Sequence, residues 1–431
     1  MKTYINPGFD QWEQLSKRKT FAVADLNETV KGIFSDIQKN GDGAVSKYTS
    51  IFDGVSISDF EVTTEEIQKA SASISEELKN AIQQAANNIE KFHASQKETV
   101  TKIETTSGVF CWRESRAIET IGIYIPGGTA PLFSTVLMLA IPAQIAGCKN
   151  IILCSPPDKN GNINPAILYA AQLTGVTKIY KIGGIQAIAA MTFGTNSIPK
   201  VSKIFGPGNQ YVTAAKQYAQ QLGIAIDMPA GPSELLVIAD ETSDADFVAS
   251  DLLSQAEHGA DSQVILVATS KKIVEKVTSA ITIQKAQLSR VSIVEKALEN
   301  SRAIVVNSID DAINFSNFYA PEHLILAFDD AENKVAKIEN AGSVFIGNYS
   351  CESAGDYASG TNHTLPTNGF AKNYSGVSLD SFVKKITFQK ITANGIQNLG
   401  KTIEIMAEAE QLEAHKNAVS IRLKKLQKTT L

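Results

Sequence analysis

Cysteine and histidine are both scarce, with four Cys and five His in 431 residues. Cys111, Cys148, Cys154 and Cys351 make no Cys-x-x-Cys pair and give no disulfide framework, so reduced thiols in a cytoplasmic protein are expected. A basic excess is missing as well. Forty Lys and Arg stand against 45 Asp and Glu, a net charge of −5. That speaks against a dedicated nucleic-acid binder. The N-terminal segment has no apolar stretch of the signal-peptide kind. Ile121 to Cys148 carries no charge, but Pro126, Pro131, Pro142, Gly127 and Gly128 interrupt it. Its most apolar part, Leu132 to Ala146, is too short to span a bilayer, so no membrane partner is expected.

Familiar fingerprints are absent too. No GxGxxG follows a predicted strand, and the nearest approach, Gly206-Pro207-Gly208-Asn209, departs after its second glycine. There is no GxSxG and no HExxH. A full Walker-A match, Gly395 to Thr402, does occur. Only 29 residues follow Thr402, and they read as one helix. The parallel sheet and Mg²⁺-binding Asp of a P-loop protein have no room there, so the match reads as a loop entering that helix.

What is present is regular alternation. Apolar runs at 120–125, 150–154, 178–182 and 201–205 are separated by helix-like stretches at 132–147, 165–175, 184–193 and 209–222. A second array of runs follows at 234–239, 263–268, 303–307, 323–328 and 343–346. Such alternation predicts βαβ units and parallel sheets, hence an α/β fold of two similar domains in tandem. Residues 1–24 read as a polar arm. Residues 25–118 with 234–378 are grouped as a first domain, and residues 119–233 as a second. Residues 379–431 read as a C-terminal helical arm ending in one long charged helix, about 402–425.

The scarce histidines lie in suggestive surroundings. Gln255 and His258 are three apart at a predicted helix end and share a face, a metal half-site. Glu322 and His323 adjoin each other just before a strand, where they can serve as acid and base on one substrate. Asp356 and His363 lie in a loop rich in small residues after a strand, and His415 follows Glu410 by five in the last helix. His93 reads as a surface helix residue. Gly-rich junctions after strands, at Tyr124 to Gly128 and at Gly183-Gly184, are places where helix N-terminal amides meet a phosphate. By themselves these residues indicate a metal-assisted α/β enzyme. The competing class is a non-catalytic metal- or nucleotide-binding protein on the same fold, which has no need of an acid–base pair.

The same motifs, taken in order, resemble the histidinol dehydrogenase family over nearly the whole chain. They are Tyr124 to Gly128, Gly183 to Ala190, Gly206 to Asn209, Asp227 to Glu234, Gln255 to Gly259, Ala320 to Leu324, and Gly355-Asp356-Tyr357 through His363. The resemblance implies a zinc-dependent, NAD-linked homodimer that oxidises L-histidinol to L-histidine through an aldehyde. It also implies a pair of Rossmann-like domains related to the aldehyde dehydrogenases. Carried over by position, Gln255, His258, Asp356 and His415 would bind one zinc per subunit, with His415 reaching the partner's site. Glu322 and His323 would be the acid–base pair. Ser233, Glu410 and His363 would contact substrate together with the metal ligands and His323. Tyr124, Gln186 and Asn209 would contact NAD. His323 is then the natural base for the hydroxyl proton, Glu322 activates the water that hydrates the aldehyde, and zinc acts as a template for the substrate. A thiohemiacetal on Cys148 or Cys154 is a subsidiary possibility, set against the apolar surroundings of both.

Overall fold

The computed structural model describes residues 1–18, 24–127, 131–229 and 231–429. Gly128 and Ala230, which belong to two of the motifs above, lie outside the described residues. The chain divides into two units, one of residues 1–96 and 118–382 and one of residues 97–117 and 383–431.

The larger unit contains both expected arrays as wholly parallel sheets. The first has six strands in the order Lys2–Ile5, Arg302–Val305, Gln263–Ala268, Glu234–Ala239, His323–Ala327, Ser343–Ile346. The second has five, in the order Lys178–Lys181, Asn150–Ser155, Thr120–Tyr124, Lys203–Phe205, Ala225–Ile226. The central strands are continuous apolar runs. Leu235 to Ala239 and Val264 to Ala268 are fully buried, as strands covered on both faces must be. The expected strands and helices of 120–346 recur with ends shifted by a few residues. Asp244 caps the helix Ala245–Ala256, accepting from the amides of Asp246 and Phe247.

Three features depart from the sequence reading. The polar N-terminal arm is an edge strand, Lys2–Ile5, followed by a helix, Phe9–Leu15, whose Trp12 packs on Phe315. The amphipathic helices between 24 and 94 share their cores with the five-stranded sheet rather than with the 234–378 half. Val30 and Phe34 lie with Tyr180 and Ile152, and Ile82 and Ile89 with Ile121 and Leu153. Apolar periodicity states that a helix buries one face, not which sheet receives it. His93, on the helix Glu76–Ala94, is buried and faces Gln96 and Asn362 instead of solvent.

The smaller unit is an antiparallel sheet, Val383–Ile391, Val109–Ala117, Ile103–Thr106, with two helices, Ala393–Ala409 and Glu413–Thr429, packed on each other. The single long helix expected here is therefore broken. Gln411 adopts a left-handed conformation (φ 59°), and the Leu412 amide reaches back to the Ala407 carbonyl, a Schellman-type stop without the usual glycine. The Walker-A match lies inside the first of these helices and is not a loop. Gly395 is there because a Cβ would stand 2.3 Å from the Gly108 carbonyl oxygen.

Candidate active site

Two cavities sit at different ends of the parallel sheets. The larger, of about 1370 Å³, lies at the carboxyl ends of the five-stranded sheet, where the strand order reverses between Thr120–Tyr124 and Lys203–Phe205. That is the usual ligand position of an open α/β sheet. Tyr124, Gln186 and Asn209 all line it. Tyr124 is buried, its hydroxyl accepts from the Gly184 amide (3.1 Å), and burial raises its pKa. Gln186 is buried and donates to Asp53 (3.1 Å), while its amide oxygen has no partner, an unspent acceptor beside the cavity. Burial pushes the Asp53 carboxyl up to about 6. Asn209 caps the helix Gln210–Gln221 by accepting from the amides of Tyr211 and Val212. Gly183 permits the close approach of this loop, since a Cβ would meet Pro156 at 2.4 Å.

The smaller cavity, of about 450 Å³, is lined by Ser233, His258, Glu322, His363 and again Asn209, so the two cavities share that residue. Its catalytic candidates stand at the amino ends of strands of the six-stranded sheet, opposite to the usual rule. Ser233 precedes the strand Glu234–Ala239, and His323 is the first residue of its neighbour.

Glu322 and His323 are both buried. The Glu322 carboxylate accepts from the Glu234 amide (2.8 Å), and burial pushes it up to about 8. His323 Nδ1 lies 3.8 Å from Glu322, 3.7 Å from Glu352 and 3.3 Å from the Glu234 carbonyl, and Nε2 lies 3.6 Å from Asp356. Burial alone would lower this imidazole, but the carboxylates of Glu322, Glu352 and Asp356 outweigh it and raise it to about 10.

His258 Nε2 lies 3.8 Å from Asp356, and His258, Glu352 and Asp356 present ligand atoms within 4.8 Å of one another. Gln255 is the penultimate residue of the helix Ala245–Ala256, just before the turn at Glu257–His258, and its amide is buried against the same group. The hydrogen-bonding orientation puts the amide nitrogen on Glu352 (2.6 Å) and near His323 Nδ1 (3.1 Å). Asp356 sits on a short helix, Glu352–Tyr357, where the sequence reads as a loop. Gly355 in it allows contact with Phe345, whose ring a Cβ would meet at 2.7 Å. His363 Nδ1 faces the Asp356 carbonyl (2.8 Å) and Nε2 the Thr135 hydroxyl (3.0 Å), and burial lowers its pKa.

A cation fits this arrangement. Burial raises Glu352 to about 8, with no Lys or Arg among the described residues offsetting it, and lowers the neighbouring His258. Imidazole and carboxylate donors around one point suit Zn²⁺. Glu352 was not singled out from the sequence. Its signal is the four-residue spacing to Asp356, which puts two carboxylates on one helix face, but Ser353, Ala354 and Gly355 disguise the helix as a loop.

Glu410 and His415 lie in the smaller unit, both exposed, on either side of the turn at Gln411. Neither cysteine of the covalent alternative lines either of these two cavities. Cys154 is fully buried in the strand Asn150–Ser155 with its thiol pushed up by burial, and Cys148 is half-buried near the Phe382 carbonyl.

Comparison with known proteins accords with this geometry. The family model for histidinol dehydrogenase matches residues 16–423. The histidinol dehydrogenase of Bacteroides thetaiotaomicron is 57% identical over 426 residues, covering 99% of this chain and 100% of its own. The crystal structure of histidinol dehydrogenase from Elizabethkingia anophelis superposes with a TM-score of 0.98 at 65% identity, covering 99% of both chains. An NAD-dependent aldehyde dehydrogenase from Sinorhizobium meliloti, 12% identical with a TM-score of 0.50 over 86% of this chain and 87% of its own, shares the fold. On these grounds the chain belongs to the histidinol dehydrogenase family.

Proposed function

We propose that this protein oxidises L-histidinol to L-histidine in two NAD-dependent steps, with Glu322 and His323 as its acid–base pair. The observation that carries this is the buried Glu322–His323 pair beside the His258, Glu352 and Asp356 cluster, with Glu322 and His258 lining a cavity that shares Asn209 with the larger one. A protein that only binds metal or nucleotide needs no such pair. The family is NAD-dependent and zinc-binding. When bound, NAD would supply a hydride acceptor for each step, and zinc, held by residues of the His258 and Asp356 cluster, would supply a fixed positive charge that suits the substrate's imidazole and amine.

His323 takes the hydroxyl proton as the carbon gives up its first hydride. The surrounding carboxylates keep a proton on this imidazole at neutrality, so it acts as base once that proton has left for solvent, and turnover should rise as the pH climbs toward about 10. The aldehyde carbon must gain a water before a second hydride leaves. Glu322, whose carboxyl holds or releases a proton near neutrality, removes the proton of that water. Gln255, His258 and Asp356 are assigned as this subunit's metal ligands, and Ser233 and His363 as substrate contacts. Tyr124, Gln186 and Asn209 are assigned to NAD. On this reading residues 234–378 carry the metal and substrate chemistry and residues 119–233 the nucleotide. The protein works in the cytoplasm, in keeping with four cysteines free of disulfides. No helix among the described residues is long and apolar enough to cross a membrane.

The direct test is absorbance. L-histidinol added to protein and NAD should yield two NADH per histidinol consumed, and a zinc chelator should abolish the signal. No NADH from the wild-type protein would end this reading.

We further propose a homodimer in which Glu410 and His415 serve the partner's site. Helix Ala393–Ala409 exposes Ile405 and Met406, and its companion exposes Ile421, apolar surface suited to burial against a second copy. Mixing His415→Ala with His323→Ala chains, each inactive alone, should restore about one site in four through heterodimers. No recovery in verified heterodimers would assign His415 to its own subunit.

A further inference from the structure

Arg18, near the N-terminus, carries a side chain that the reaction above does not use. Arg18 is nearly buried (side chain 11% exposed) and its guanidinium stacks 3.7 Å from the Tyr319 ring. Nε and Nη2 donate to the two carboxylate oxygens of Glu234 at 2.8 and 2.9 Å, a bidentate pair. Nη2 also donates to the Tyr319 carbonyl at 2.8 Å. Gly369 (φ 75°) leaves room for it, since a Cβ there would stand 3.3 Å from Nη1.

Both segments in this grip feed the acid–base pair. The Glu234 amide donates to the Glu322 carboxylate (2.8 Å), and the Glu234 carbonyl faces His323 Nδ1 at 3.3 Å. Tyr319 and Ala320 lead directly into Pro321 and Glu322. Ala320 holds a left-handed conformation (φ 55°), costly for a residue with a Cβ and kept only where its surroundings enforce it. The Glu234 side chain also accepts from the Asn368 amide (2.6 Å), and only 1% of it is exposed. Among the described residues Arg18 is thus the one cation paired with the buried Glu234 carboxylate, whose own backbone holds both Glu322 and His323.

We infer that Arg18 is a positioning residue for catalysis: by clamping Glu234 to the Tyr319–Ala320 segment it sets the placement of Glu322 against His323. This rests on the function proposed above. Arg18 touches neither cavity lining, so its loss should act on turnover and not on ligand binding.

The experiment compares wild-type, Arg18→Ala and Arg18→Lys proteins with L-histidinol and NAD. Misplacement of catalytic groups by a fraction of an ångström should lower kcat of Arg18→Ala by roughly 10- to 100-fold. Zinc content and KM for NAD should stay within about twofold of wild type. Added methylguanidinium, which can refill the space, should raise kcat several-fold. Arg18→Lys retains the charge but not the two-pronged geometry, and should fold with an intermediate kcat. Wild-type kcat in Arg18→Lys and Arg18→Ala would overturn the inference. So would a loss of kcat that follows loss of zinc and ignores methylguanidinium. If Arg18→Ala does not fold, Arg18→Lys decides alone, since wild-type kcat there removes the need for the bidentate clamp. Absence of NADH from the wild type would instead refute the functional reading on which this one rests.

Discussion

Replacing His323 with alanine is expected to lower kcat by about 10²- to 10⁴-fold, the range a positioned acid–base group contributes. The reason is the setting of the imidazole. It is buried, three carboxylates lie within 3.8 Å of its nitrogens, and one of them, Glu322, adjoins it in sequence. Among the described residues no other ring of this cluster combines that burial with carboxylates at both nitrogens: His258 is more exposed and turned to Asp356, and His363 is engaged by Thr135 and the Asp356 carbonyl. His323 is not among the proposed metal ligands, so the variant should retain its zinc. The check is paired: kcat from NADH absorbance and zinc content of the same sample. Retained turnover would remove His323 from the role of base. Loss of zinc with loss of turnover would recast it as part of the metal site.

Much of this site is legible in the sequence alone. The parallel strands were readable because a strand buried on both faces is a continuous apolar run, and Glu234–Ala239 and Gln263–Ala268 begin and end where the sequence places them. Gln255 and His258, and Glu322 and His323, announce themselves by local spacing. Other features needed the fold. The first strand, Lys2–Ile5, is short and half polar, and only its pairing with Arg302–Val305 makes it a strand. The stop at Gln411 has no glycine or proline to signal it, because the chain accepts a left-handed glutamine to close the turn. Arg18 is illegible for a related reason: it acts on Glu234 across 216 positions, and no local pattern encodes such a meeting. Glu352 does carry a local signal, its spacing to Asp356, but the small residues between them hide the helix that makes the spacing count. His93 was misjudged because a histidine on an amphipathic helix looks the same whether its face meets water or, as here, Asn362.

The second large effect concerns the metal. His258→Ala should weaken zinc binding by at least about 100-fold, since even residues that only orient metal ligands cost 10- to 100-fold when replaced. His258 supplies the one neutral nitrogen of the three groups that converge within 4.8 Å, and the other two, Glu352 and Asp356, are carboxylates. Without it this subunit's own share of the site is oxygen donors alone, a set that suits Mg²⁺ or Ca²⁺ better than Zn²⁺. Competition with a chromogenic chelator measures the loss independently of turnover. Glu352→Gln is the informative companion, because Glu352 holds the Gln255 amide at 2.6 Å and leaves the amide oxygen turned away from it. If Glu352 serves by orienting Gln255, its replacement should cost zinc affinity in the 10- to 100-fold range and less than His258→Ala. Equal losses in the two variants would make Glu352 a ligand in its own right. Unchanged zinc affinity in His258→Ala would place the metal elsewhere and leave the His258–Asp356 contact as an ordinary ion pair.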